Sequence, residues 1–207
     1  MLDNGKLTFW DVGTYLTIGL FFTIVSFVYS FFIIHINFSL WIKELKDFSG
    51  LLILLAPILF LFTGMFIEPI ANWSAKIIEK KVKWLKPRES RNKVKLEGLV
   101  KSLLPNEKIE IVNKYRYCKA IVDLKFPNSN HDIFLARFGF YRSLAFLMNS
   151  LFILNVFLVS WSFTMFLVNF FIGFMSYQFL RRSQDFRNHM EDTIYYNYLA
   201  LSMKTAS

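Results

Sequence analysis

Arg182 and His189 are the pair in this chain whose types and spacing best suit phosphate chemistry. Seven residues apart on a helix, they share a face. An imidazole that moves a proton and a guanidinium that holds an anion would then meet one ligand. A plainer reading competes: arginines commonly follow a membrane span, and Glu191 and Asp192 are at hand to pair with Arg187. A second group, Tyr115, Arg116, Tyr117 and Lys119, interleaves rings with cations as nucleic-acid stacking sites do. Lys80, Lys81 and Lys83 extend the same basic stretch and suit anionic lipid. Little else is offered. The sequence has no Gly-rich phosphate loop, no paired carboxylates inside an apolar run and no His cluster at metal-ligand spacing. Its single cysteine, Cys118, closes no internal disulfide and supplies no Cys-rich metal site. No cofactor is expected, and the chain reads as a non-enzyme unless the Arg182/His189 pair is active.

The elements that must position these residues are apolar. Hydrophobic residues make up 55% of the 207, charged residues only 19%, and Phe alone numbers 25. Soluble domains carry about 25% charge, so disorder is excluded and an ordinary soluble enzyme is disfavoured. Val12–Ile42 holds 31 residues without a charge, enough for one spanning helix with an interfacial extension. Its body is read as about 12–36. The competing signal-peptide reading is weakened by Asp3 and Asp11 ahead of the run. Phe48–Ile67, 20 uncharged residues, is a second span of about 48–67, with Pro57 as a kink or a hinge. Glu68 closes that run and reads as a solvated boundary residue, His35 as an interfacial one. Ser143–Leu180 is 38 residues long, about 57 Å as a single helix. That exceeds the hydrocarbon thickness, so two spans are expected, near 141–157 and 161–180, turning at Asn155, Ser160, Trp161 and Ser162. Asn149, Asn155 and Asn169 should hydrogen-bond between helices, or line a pore in an oligomer.

The net charge of +9 is concentrated. Between Asn72 and Tyr141 lie 16 Lys/Arg against 7 Asp/Glu, and the remainder is neutral. By the positive-inside rule that segment is cytoplasmic, as are Arg181, Arg182 and Arg187. Four spans with both termini inside a bacterial inner membrane satisfy both statements. The fold expected is therefore all-α and polytopic. It comprises a transmembrane hairpin over 1–71, a basic cytoplasmic segment over 72–140, a second hairpin over 141–180 and a cytoplasmic C-terminal helix over 181–207. Within the basic segment the periodicity predicts helices over 74–86 and 93–104, stopped by Pro87 and Pro105. Residues 107–125 read as helix or strand, 127–130 as a turn, and 131–140 as the start of the helix entering the third span. At the C-terminus Phe186, Met190, Ile194, Tyr198 and Leu201 form an apolar stripe. The stripe must cover itself on residues 74–125, on a second copy, or on the membrane, and a homo-oligomer built through it is expected.

Arg-x4–6-His, which the Arg182/His189 pair satisfies, resembles the active-site spacing of HEPN ribonucleases, where two copies meet across a dimer. The whole layout is similar to the small multi-span membrane accessory proteins of type VI-B CRISPR loci. The local features that carry that resemblance are Phe138-Gly139-Phe140-Tyr141-Arg142 and the Arg182/His189 pair. The resemblance implies a modulator or effector of RNA-guided antiviral defence, accompanying an RNA-guided ribonuclease and acting at the membrane, with an oligomeric pore or membrane-perturbing assembly as one form of action. A small transporter or channel unrelated to defence is the alternative.

Overall fold

The computed structural model describes residues 9–32, 46, 49–81, 93–103, 114–125, 130–158 and 162–206, and among these it is all-helical. Among the described residues the long elements are α1 Phe9–Phe32, α2 Ser49–Lys81, α3 Lys93–Leu103, α4 Lys114–Lys125, α5 His131–Leu158 and α6 Phe163–Ala206. α1, α2, α5 and α6 are each long and apolar enough to cross a membrane. Lys83, His35, the stops at Pro87 and Pro105, residues 107–113, Ser160, Trp161 and most of the 127–130 turn lie outside the described residues.

The split of the third apolar run falls where its length requires. α5 ends at Leu158 and α6 begins at Phe163. Ser162 caps the new helix: its Oγ accepts the Met165 N–H at 3.2 Å and its carbonyl accepts the Phe166 N–H at 2.9 Å. This satisfies first-turn donors that lipid cannot. Residues 114–125 resolve to a helix, with Cys118 and Val122 buried one turn apart.

The divisions expected at 71/72, 140/141 and 180/181 fall inside α2, α5 and α6, so each of those helices runs on across its division. In particular 74–81 is the last part of α2 and no separate helix, because α2 passes through both Pro57 and Pro69 without ending. α6 is 44 residues long, about 66 Å of uninterrupted helix.

The four long helices run alternately up and down. Gly19 of α1 meets the backbone of Phe60 in α2, and Gly64 of α2 meets the backbone of Tyr15 in α1. A Cβ added at Gly19 would lie 2.8 Å from the Phe60 Cα, and one at Gly64 2.7 Å from the Tyr15 Cα, so only glycine permits this reciprocal crossing. α5 joins on the other side: Tyr29 Oη donates to Asn155 Oδ1, and Ser176 Oγ of α6 donates to the Ala145 carbonyl at 3.0 Å. Gln184 Nε2 donates to Glu79 Oε1 at 3.2 Å. The start of α1, the end of α2, the start of α5 and the end of α6 therefore share one end of the bundle. Trp10, Trp73, Tyr141 and Tyr177 each stand within about a turn and a half of the polar residues at that end, Tyr15, Glu68, Arg142 and Arg181. Such a belt marks a membrane–water boundary.

Beyond that belt sits a small water-side core. Leu96 and Val100 of α3, Cys118 and Val122 of α4, and Ile194, Tyr195, Tyr198 and Leu199 of α6 are all buried together, with Leu201 packed against them. The C-terminal stripe thus docks within its own chain. The contact expected to hold a second copy is already occupied at Ile194 and Tyr198, while Phe186 is covered by α5 and Met190 is half-buried.

Candidate functional site

The polar groups of the bundle converge where α1, α2 and α5 meet. Glu68 ends the uncharged part of α2, and Arg142 begins the uncharged part of α5. Antiparallel packing brings them to one depth, with Arg142 Nη2 2.8 Å from Glu68 Oε1. Arg142 Nη1 donates to Asn72 Oδ1 at 3.0 Å, and Tyr15 Oη donates to Glu68 Oε2 at 3.0 Å. Arg142 is only 6% exposed, so its charge must be met inside the protein, and a carboxylate with an amide meets it. The Phe138–Arg142 stretch now has a physical account. Phe138 places its ring under the Arg142 guanidinium at 4.5 Å. Gly139 is buried facing Glu68, whose Oε1 would lie 3.6 Å from an added Cβ. Arg142 Nε makes no hydrogen bond among the described residues. A small cavity beside it is lined by Ser74, Asn149 and Ser176.

A larger apolar cavity, about 210 Å³, opens between α1 and α5 and is lined by Phe21, Val25, Ser26, Leu147, Ser150 and Leu154, among others. The Tyr29–Asn155 hydrogen bond crosses between the same two helices. Asn155 and Asn169 are both buried. Asn155 bridges helices from inside α5, three residues before its end at Leu158, so it does not mark the turn expected there.

The candidates on α4, on α6 and at the end of α2 are distributed differently from their order in the sequence. Arg182 and His189 are exposed and share a face of α6, with Phe186 between them: Arg182 lies over its ring at 4.9 Å and the His189 ring is 6.4 Å from it. Tyr115 and Tyr117 are half-buried in packing roles. Tyr115 Oη pairs with His131 Nε2 at 3.1 Å and its ring meets Tyr195 edge-on, while Tyr117 meets Tyr198 edge-on. Lys119 pairs with Asp123 at 3.0 Å. Arg116, Lys80 and Lys81 are exposed. The rings of this group therefore build the water-side core, and its cations ring the surface. Cys118, 0% exposed in that core, has its thiol pushed up to about 11 by burial, so it is a structural thiol with little thiolate near neutrality.

Among the described residues no group of three or more His, Cys, Asp or Glu side chains could hold a metal ion. The Tyr15–Glu68–Arg142–Asn72 chain ties α1, α2 and α5 together at one end of the bundle. Sequence reasoning missed Tyr15 and Asn72 and read Glu68 as solvated. The usable signal was that Glu68 and Arg142 are opposite charges bordering apolar runs that alternate in direction. No protein-family model, no curated protein and no solved structure matches this chain.

Proposed function

We propose that the protein is a membrane-embedded accessory or effector component of RNA-guided antiviral defence that works through its helical cap and carries no solute. One observation carries the cap-based part of this reading: α6 is a single helix from Phe163, within the apolar bundle, to the cap core at Ile194–Leu199. A partner that tilts or shifts the cap necessarily moves the last span, because α3 and α4 pack on the same rod. The basic excess of residues 72–141 supports a cytoplasmic cap, with both termini on that side of a bacterial inner membrane. It also supports an acidic partner, with an RNA-guided ribonuclease or its RNA as the class implied by the resemblance in layout. The defence setting rests on that resemblance alone. A homo-oligomer would assemble through exposed apolar faces of the spans such as Phe22, Phe27, Phe170 and Phe171, since the C-terminal stripe is engaged within the chain. The alternative, a small transporter, is favoured by the α1/α5 cavity and the charged pair at its inner end.

The test is phage plaque formation in cells carrying a type VI-B RNA-guided ribonuclease, with and without this protein. The expected result is a change in plating efficiency of tenfold or more that Arg116→Glu with Lys80→Glu abolishes. Equal plating with and without the protein overturns the defence assignment. Solute uptake by proteoliposomes holding the protein alone would favour the transporter.

A further inference from the structure

The α5/α6 face that holds Arg182 and His189 carries more than that pair. Phe186 is buried, at 6% exposure. The Arg182 guanidinium reaches its ring from α6 at 4.9 Å, and the Arg137 guanidinium reaches the same ring from α5 at 5.5 Å. Both distances fall within the range of cation–π attraction. Tyr141 stacks on Phe186 with centroids 5.4 Å apart and planes 9° apart, and Phe134 flanks it at 6.3 Å. Two cations that should repel are thus drawn to one ring from two helices. Both arginines are exposed. Among the described residues neither lies within ion-pair distance of a carboxylate. The nearest acids in sequence do not reach them: Asp132 is on His131, and Asp185, three residues after Arg182 and exposed, makes no ion pair with either among the described residues. Stacking occupies the face of a guanidinium and leaves its in-plane N–H donors for a second partner.

Depth identifies that partner. Arg137 stands four residues outside Tyr141 and Arg182 five outside Tyr177, the two belt residues of their helices. At 1.5 Å per residue both sit about 6–8 Å outside those two tyrosines. The headgroup layer is about 5–8 Å deep on each side of the hydrocarbon. We infer that Arg137 and Arg182, set on Phe186, form a binding site for the phosphate of an anionic phospholipid headgroup. A nucleic acid fits less well, because base stacking needs an open aromatic face and Phe186 is already covered by Tyr141 and by the arginines. The assignment concerns the bilayer boundary only and holds whether or not the defence reading does.

The full-length protein in mild detergent, offered phosphatidylglycerol and phosphatidylcholine and read by native mass spectrometry, tests it. The wild type should retain phosphatidylglycerol in preference. Arg137→Gln with Arg182→Gln should weaken that retention about thirtyfold, at about a factor of five per arginine near an anionic surface. Lys95→Gln with Lys125→Gln, an equal loss of charge at two exposed cap positions, should leave retention within twofold. Should the double variant not fold, Arg137→Gln and Arg182→Gln singly carry the test at about fivefold each. Equal losses in the two double variants, or no preference in the wild type, overturn the site. Binding of a short single-stranded oligoribonucleotide that falls in the Arg137/Arg182 variant while lipid retention holds overturns it in favour of nucleic acid.

Discussion

The α1–α2 hairpin and the cap are built from similar residues by opposite means. In the hairpin large apolar side chains face outward: Ile24, Phe27, Leu54, Phe62 and Phe66 are all about half exposed or more. Lipid solvates them as well as protein does, so no hydrophobic force joins the helices. Contact there is backbone against backbone at Gly19 and Gly64, secured at the boundary by the Tyr15–Glu68–Arg142 chain. In the cap eight side chains, among them Val100, Cys118, Val122 and Ile194 at 0% exposure, are drawn from three helices into one core. Burial from water is the driving force there. The same amino-acid types thus mean surface in one half and core in the other, and the solvent decides which.

The sharpest way to break the hairpin half is Gly19→Val or Gly64→Val. Either forces backbones apart and should destabilise the bundle by at least about 3 kcal/mol. Loss of a monodisperse species in detergent is the readout. Gly13→Val, whose Cβ meets nothing within 4 Å, should be silent. Next comes the boundary pair. Glu68→Ala or Arg142→Ala should cost about 2–4 kcal/mol, somewhat below a deeply buried pair because the Glu68 side chain is one-third exposed. Joint replacement by Gln and Met should cost less than either single change, which a double-mutant cycle with denaturant titration measures. In the cap, Val122→Ala should cost about 1–2 kcal/mol and expose residues 93–125 to proteolysis while the spans stay protected. If the spans unfold with it, the two halves are one cooperative unit. The smallest effect is expected at Lys119→Ala, which removes a surface i,i+4 pair with Asp123 worth about 0.3–0.5 kcal/mol.

Run length and charge placement made the four spans legible, and the 38-residue third run was long enough to demand its own division. Pro57 read as a kink or a hinge inside one span, and α2 does continue through it and through Pro69, because neighbouring helices in a membrane tolerate what water would not. Glu68 looked solvated because a single sequence does not show what stands opposite. Its partner lies 74 residues away, and Tyr15 is 53 residues away on the other side. Gly19 and Gly64 were invisible as a pair for the same reason. The C-terminal stripe was legible as apolar, but not its destination, since an intramolecular dock and a second copy bury the same faces.

Cys118, the sole cysteine, reports directly on whether a water-built core is seated on the end of the last span. Its alkylation by iodoacetamide in native membranes, with Cys118→Ser as the background, should be followed with and without denaturant, from pH 7 to pH 11. Burial raises the folded thiol above its unfolded value of 9.0 to about 11, so folding holds the proton. The stabilisation this lends the cap is complete below pH 9 and is lost as pH climbs through about 11. The expected result is no labelling of the wild type near neutrality until denaturant is added, labelling that rises steeply towards pH 11, and prompt labelling at neutral pH in Ile194→Asp. Rapid labelling of the undenatured wild type at neutral pH would contradict the buried cap.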